Sequence, residues 1–329
     1  MRTPFILAAL VIMPGASVGP FPFEKFDIDN AHSEITFSIR FMGLTNVHGR
    51  FKGFRGSVMY VESDVARSTV GIMIDVKTLD TGNDWRDRDL KGPAFFNADT
   101  FPTITFKSTR VERSADGFVV RGPLTMRGVT REVVIPFLQL HGKMKDAWGN
   151  TRVGFAGALK LNRKDFGVVG GGFWNQIVDL TRQSVADTVA IELSVQAEQI
   201  NFDRISFGAR PNTKSLGDTL FKLIAAQGTN AALAQYETLR KDTVSFSTGE
   251  AQLNTLGYKL LQAGKVDDAI RVLRLNVVAF PASANVYDSL GEACLAKGDR
   301  AGARENYAKA LELDANNVGA TEVLRWLTN

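Results

Sequence analysis

The amino-acid sequence predicts a mixed two-domain protein, in which an antiparallel β domain over residues 20–200 precedes an all-α domain of helical repeats over residues 214–329. Two observations support this fold class. Apolar and polar residues alternate with a period of two through residues 23–198, which is typical of half-buried strands. Beyond residue 214 the apolar period becomes helical, and two segments match each other at a spacing of 34 residues.

The strand prediction is clearest in residues 33–41, where Ile35, Phe37, Ile39 and Phe41 share one face and polar residues share the other. Similar patterns lie around residues 47–54, 58–61, 70–76, 104–106, 118–124, 133–137, 153–161 and 189–195. Turn signals such as Asp-Gly and Arg-Gly pairs separate them. About eight antiparallel strands indicate a barrel or a sandwich, and the pattern alone leaves both open.

The C-terminal part begins after residues 201–213, which contain Gly and Pro and predict a linker. Gly257 and Gly291 are 34 residues apart, as are Ala269 and Ala303. Small residues let paired helices approach closely, and the pattern resembles the tetratricopeptide repeat. Segments 216–226 and 231–240 predict a degenerate first pair, and 318–327 a closing helix. We expect either a concave groove for a protein partner or a stabilising appendage.

The N-terminal residues 1–19 predict a secretory signal peptide, because one Arg precedes a short apolar run that small residues follow. We therefore expect a periplasmic or secreted protein without a transmembrane span in the mature chain. The net charge of +4 is not concentrated in a basic block, which argues against nucleic acid as a partner. Cys294, the only cysteine, is predicted to be a small core residue.

No catalytic motif has the required context, and the sequence therefore predicts a protein that is not an enzyme. The G-x-S-x-G match lies inside the predicted leader, and no Ser precedes a Lys by three residues. The three histidines, His32, His48 and His141, are not at metal-ligand spacing, so we expect neither catalytic residues nor a metal site.

The stretch "DWRDRDLKGPAFF" (residues 84–96) concentrates charge beside aromatic side chains. Asp84 is predicted to cap a short helix that ends at Gly92, with Trp85 on the apolar side. This arrangement predicts a lid or plug at one end of the β domain. Arg86 and Arg88 are candidate contacts for a ligand head group. A hydrolase that uses the acidic residues between Asp84 and Asp89, or His48, is a further alternative.

Several motifs occur in a familiar order: "FDIDNAHSEITFSIRF" (26–41), "GRFKGFRGSV" (49–58), residues 84–108, "GPLTMRGVTREVVIPF" (122–137) and "LNRKDFGV" (161–168). Together they resemble the YceI-like family of periplasmic polyisoprenoid-binding proteins. The resemblance implies a lipocalin-like antiparallel barrel of eight strands that holds an isoprenoid chain, as in a quinone or a prenyl-phosphate lipid. Phe41 is a departure, because the family often has His there.

We expect the inward-facing apolar side chains of the barrel to form the lipid-binding wall. These are Ile35, Phe37, Ile39, Phe41, Ile72, Ile74, Phe106, Phe118 and Phe155. The resulting hypothesis is a carrier that requires no cofactor, has an isoprenoid lipid or quinone as its ligand, and docks a partner through the repeats. The alternative is an interaction scaffold whose barrel is filled by side chains and holds no ligand.

Overall fold

The computed structural model describes residues 23–175, 177–179 and 182–328. Residues 1–19, the predicted signal peptide, lie outside this part of the chain. The strands of the N-terminal domain are β1 (Glu24–Ile28), β2 (Glu34–Phe41), β3 (Thr45–Phe51), β4 (Phe54–Tyr60), β5 (Thr69–Asp75), β6 (Leu79–Asp80), β7 (Thr103–Lys107), β8 (Arg110–Arg113), β9 (Gly117–Met126), β10 (Val129–Lys145), β11 (Thr151–Asn162), β12 (Ile177–Asp179), β13 (Arg182–Gln183) and β14 (Val185–Gln199).

Eight of these strands form a closed antiparallel ring in the order β1-β4-β5-β7-β9-β10-β11-β14, and pairing between β1 and β14 completes it. The predicted antiparallel barrel is confirmed, and the sandwich is excluded. Strand β14 also pairs with β2, placing Ile35 opposite Leu193 and Ile39 opposite Val189. The hairpin of β2 and β3 therefore extends the wall at one end of the barrel.

The turn between β9 and β10 shows how local sequence fixes the register. Arg127 and Gly128 both have positive φ, at 50° and 74°, which is the geometry of a two-residue type I′ hairpin. The Arg127 guanidinium donates to the carbonyl oxygens of Gly167 and Pro93, which ties this turn to the segments that follow β11 and the helix Asp84–Lys91. The predicted turn at this position is confirmed.

The C-terminal domain is built from helices, as predicted. The helices of the chain are α1 (Asp84–Lys91), within the barrel domain, and then α2 (Leu216–Gln227), α3 (Thr229–Lys241), α4 (Glu250–Gln262), α5 (Val266–Ala279), α6 (Ala284–Lys297), α7 (Arg300–Leu313) and α8 (Val318–Thr328). Two short strands, β15 (Lys214–Ser215) and β16 (Phe246–Ser247), pair in parallel beside them. In the described residues, no helix has both the length and the apolar character needed to cross a bilayer.

The repeat spacing corresponds to equivalent close contacts between helices. A Cβ atom at Gly257 would lie 2.5 Å from Leu273 Cδ2, and one at Gly291 would lie 3.0 Å from Tyr307 Cδ2. Leu273 and Tyr307 are completely buried, each on the second helix of its pair. A side chain at Gly257 would displace Leu273, and one at Gly291 would press on the Tyr307 ring, so glycine at both positions lets the helices of each pair approach. Cys294 is buried in the same core, as predicted.

The connection between the domains, predicted as a linker, is packed along helix α4. Phe202 stacks on Tyr258 with ring centroids 4.2 Å apart, and buried Lys259 donates to the carbonyl oxygens of Phe202 and Asp203. Gln252 donates to the carbonyls of residues 207 and 208. These contacts satisfy backbone acceptors that would otherwise need water.

The two domains also share a hydrophobic core. Phe23, which immediately precedes β1, makes an edge-on contact with Trp326 of α8 at a centroid distance of 5.0 Å. Met59 of β4 is completely buried in the same cluster. Helix α8 also lies against β5 at Gly71, where a Cβ atom would come within 2.7 Å of Val318 Cγ1. The helical domain thus covers one outer face of the barrel.

An ion-pair cluster accompanies this apolar contact. The Lys25 ammonium of β1 donates to the carboxylate of Glu292 on α6 and lies 3.6 Å from Asp288 Oδ2 and 3.9 Å from Asp27 Oδ2. Burial by itself would lower the pKa of Lys25, but the neighbouring carboxylates outweigh it and raise that pKa well above its usual value. Burial raises the pKa of Glu292.

Two local features differ from the sequence-based expectation. The N-cap of α1 is Asn83 and not Asp84, because the Asn83 side chain accepts a hydrogen bond from the Arg86 amide at 3.0 Å. Asp84 lies in the first turn of α1, where the positive end of the helix dipole stabilises its negative charge. Strand β1 was not predicted, because only Phe26 among its five residues is buried.

Candidate functional site

The barrel encloses a cavity of about 380 Å³. This volume is within the range of about 300–1,000 Å³ that small-molecule sites occupy. The wall is formed mainly by apolar side chains of β2, β3, β5, β7, β11 and β14. Several of them, including Phe37 and Ile39, are only half-buried although they face inward, because they border empty space and not other side chains.

The cavity is covered at one end by α1 and the segment that follows it. Trp85, Leu90, Phe95 and Phe96 line the cavity here, and Phe96 makes an edge-on contact with Phe51 at 5.9 Å. Trp85 is nevertheless 62% exposed, so the cavity opens to solvent beside it. The predicted lid segment therefore lies at the mouth.

Hydrogen bonds hold α1 in place at this mouth. The carboxylate of buried Asp87 accepts from the amide and the hydroxyl of Thr81, and the Arg86 guanidinium donates to the hydroxyl and the carbonyl of the same threonine. Arg86 and Asp87 therefore face each other across one hydroxyl group, which links their charges and fixes the helix to the loop before it.

The structure brings together seven of the nine predicted wall residues. Ile35, Phe37, Ile39, Phe41, Ile72, Ile74 and Phe106 all line the cavity. Of the two predicted head-group residues, Arg86 lines the cavity, whereas Arg88 does not and is exposed on the outer side of α1.

Phe118 and Phe155 lie outside the cavity lining. They contact each other edge-on with centroids 5.9 Å apart, and Tyr60 packs against Phe118 at 6.3 Å. This aromatic cluster fills part of the barrel interior. The hollow region therefore occupies part of the barrel length and ends at packed side chains.

Arg163 is the second cation in the cavity lining and is 5% exposed. Its Nη1 atom donates to the carbonyls of Val168 and Val169, its Nε atom donates to another carbonyl, and Asp187 Oδ1 lies 3.4 Å from its Nη2 atom. Burial lowers the pKa of Arg163, and the charge of Asp187 opposes this effect. With its donors engaged inside the protein, Arg163 is a structural residue that closes the loop over the cavity.

Residues that the sequence argument did not assign to the site also line the cavity. Leu159, Leu161, Val189, Ile191 and Leu193 belong to predicted strands and share the inward parity of their neighbours. Asp89 lies one helical turn after Trp85 and Arg86, so helical spacing would have placed all three on one face. No comparable pattern indicated Arg163 or Trp174.

The chemistry available at the site is that of apolar contact with a few polar groups at the mouth. Across the described residues, no group of three or more His, Cys, Asp or Glu side chains could hold a metal ion. The arrangement is suited to enclosing an apolar chain.

Comparisons with known proteins agree with this architecture. The sequence profile of the YceI-like domain matches residues 26–197, which is the barrel. A UPF0312 protein of Photorhabdus laumondii is 37% identical over 160 residues, covering 49% of this chain and 83% of the relative.

Solved structures are similar to each part of the chain. Burkholderia cenocepacia BcnA is 24% identical, with 51% of this chain and 98% of that chain covered and a TM-score of 0.44. A polyisoprenoid binding domain from Saccharophagus degradans is 16% identical, covering 53% and 98%, with a TM-score of 0.40. The first TPR domain of human RPAP3 is 20% identical, covering 34% and 87%, with a TM-score of 0.26. On the extent of the profile match and the identity to its relatives, the chain belongs to the YceI-like family.

Proposed function

We propose that this protein is a non-enzymatic carrier that holds the chain of an isoprenoid lipid inside its barrel. The observation that carries this proposal is the apolar cavity, which is open beside Trp85 and closed by the aromatic cluster of Tyr60, Phe118 and Phe155. A cavity with one mouth suits a ligand that enters tail first and leaves its head group near solvent.

The size of the cavity limits the length of chain that it encloses. The lining along β2 runs from Ile35 to Phe41, which is six residue steps or about 20 Å. A chain of about twenty carbons would gain about 16 kcal/mol at about 0.8 kcal/mol for each buried CH₂. This value is already close to the ceiling of about 18–21 kcal/mol for non-covalent binding, before ordering costs are subtracted. The cavity therefore needs to enclose only part of a longer isoprenoid.

The hollow interior favours the carrier over the filled scaffold. In a filled barrel the inward side chains of β2 would be covered by residues from the opposite wall, whereas Phe37, Ile39 and Phe41 remain half-buried. The match to the YceI-like family over residues 26–197, a family whose resemblance implies an isoprenoid ligand, supports the same choice of ligand class.

The predicted leader supports delivery of the carrier to the periplasm or to the outside of the cell. The helical domain then has two roles in the proposal. It supports the outer wall of the barrel through α8, and it docks a protein partner through helix surfaces that the described residues leave exposed. Since α4 and α6 are engaged by residues 200–208 and by Lys25, the outer helices α5 and α7 are better placed for that partner.

Native mass spectrometry of the full chain, expressed with its leader and extracted mildly, tests the carrier function. We expect a retained isoprenoid, or uptake of added geranylgeraniol in a one-to-one ratio. A protein that retains no apolar ligand and takes up no geranylgeraniol would contradict the proposal.

A further inference from the structure

Among the described residues, three charged side chains line the cavity: Arg86, Asp89 and Arg163. They differ in the hydrogen bonds and ion pairs that they make with the rest of the protein. A side chain whose charge is already balanced by such contacts interacts less strongly with a ligand head group at the mouth.

Both cations are engaged by the protein. Arg86 donates to Thr81, whose hydroxyl also binds the carboxylate of buried Asp87, so a counter-charge lies across one hydroxyl group. Arg163 directs its donors to backbone carbonyls, and Asp187 provides a nearby negative charge. An incoming anion would have to compete with these contacts or approach the Nη1 donors of Arg86, whose charge the nearby Asp87 already balances in part.

Asp89 differs from both cations. It is half-buried on α1 and lines the cavity between Arg86 and Leu90. In the part of the chain that the structure describes, its carboxylate accepts no hydrogen bond and has no cation within ion-pair distance. A carboxylate at the edge of an apolar cavity gains most from a ligand that can donate a hydrogen bond or carry a positive charge.

We propose that Asp89 selects the head group of the ligand, favouring isoprenoids whose head group donates a hydrogen bond, such as an alcohol, over those with a phosphate. This inference rests on the proposed carrier function, since it concerns the head group of the same ligand. The physical basis is direct: a phosphate beside Asp89 would bring two negative charges together in a partly desolvated site, whereas a hydroxyl would donate to the free carboxylate.

Three twenty-carbon ligands with the same tail isolate the head group: geranylgeraniol, geranylgeranyl phosphate and geranylgeranylamine. Each is offered at equal concentration to the full-length wild type, to Asp89→Asn and to Asp84→Asn, and native mass spectrometry gives the bound fractions. Asp84 is the matched control, because it is exposed on the same helix and does not line the cavity.

We expect the wild type to prefer the alcohol and the amine over the phosphate by about tenfold or more. Asp89→Asn should reduce the preference for the amine over the phosphate at least several-fold, and Asp84→Asn should leave it unchanged. Equal binding of all three ligands by the wild type, or an unchanged preference in Asp89→Asn, would overturn the head-group inference while leaving the carrier function intact. Binding of none of the three would contradict the carrier function itself, and the inference with it.

Discussion

The contact between the barrel and the helices should depend on one lysine. In Lys25→Met the apolar stem is kept and the ammonium is lost, so the Glu292 carboxylate loses its ion-pair partner. The Lys25 and Glu292 side chains are 20% and 12% exposed, so the pair is largely but not fully desolvated. Asp288 keeps a second partner, because Asn317 Nδ2 donates to its Oδ1 atom at 3.0 Å. Glu292 is therefore the carboxylate that the substitution leaves without a cation, with a hydrogen bond from Tyr258 as its remaining polar contact.

Removing one member of a buried ion pair costs about 3–5 kcal/mol. Because both side chains keep some exposure, we expect a loss in the free energy of unfolding at the lower end, about 3 kcal/mol at pH 8. Burial already raises the pKa of Glu292 above its usual value, and loss of Lys25 should raise it further. In Lys25→Met, the Glu292 carboxyl group then binds its proton more tightly in the folded state than in the unfolded state. The cost of the substitution should therefore be small below about pH 4.5 and grow as the pH rises through the folded-state pKa.

Urea denaturation of the wild type and Lys25→Met at pH 4 and pH 8 measures this difference. Lys222→Met is the control, because Lys222 pairs with Asp218 on the surface and its side chain is 74% exposed. Its cost should stay below about 1 kcal/mol at both pH values. If Lys25→Met cost no more than Lys222→Met at pH 8, the Lys25 ion pair would not stabilise the contact between the barrel and the helices.

Three further substitutions test separate parts of the fold. Gly71→Leu should reduce the free energy of unfolding by about 1–3 kcal/mol in urea denaturation, because its Cβ would lie 2.7 Å from Val318 on α8. Asn83→Ala should cost about 1 kcal/mol and speed amide hydrogen exchange in α1, since it removes the N-cap. Burial alone would raise the pKa of Asp29, but hydrogen bonding to Arg152 outweighs it and lowers that pKa from 3.8 to about 2. The stabilising contribution of Asp29 is therefore present above about pH 3.8 and should be lost as the pH falls to about 2. Acid titration should show a smaller loss of stability in Asp29→Asn.

Each of these three expectations has a distinct contrary outcome. A Gly71→Leu variant as stable as the wild type would mean that α8 can move away from β5 without cost. Unchanged exchange in Asn83→Ala would remove the role of the cap. An acid transition that is identical in Asp29→Asn and the wild type would place the acid sensitivity at other carboxylates.

The strands and helices were predictable where one face of an element is buried. Alternation identified β2, β5, β11 and β14, and the 34-residue spacing identified the helix pairs. Strand β1 lacks this signal, because only Phe26 of its five residues is buried and Lys25 instead pairs with Glu292, 267 positions away in the chain. Contacts between distant segments of this kind leave no mark in local periodicity.

The hollow part of the barrel could not be located from residue type. Phe118 and Phe155 have the same inward parity as Phe37 and Phe106, yet only the latter pair lines the cavity. The difference is that Tyr60 packs against Phe118, which in turn packs against Phe155. Which inward side chains meet each other depends on three-dimensional position, and the alternation shows only which face they share.

The central claim is that the apolar cavity is the binding site, and blocking it tests this most directly. Leu161 lines the cavity, whereas its neighbour Lys160 is exposed on the outer face of the same strand. The measurement is the affinity for geranylgeraniol of the wild type, Leu161→Trp and Lys160→Trp. Binding by the wild type and Lys160→Trp, with at least a tenfold loss in Leu161→Trp, is the predicted result. Equal affinity in all three folded proteins would contradict the account.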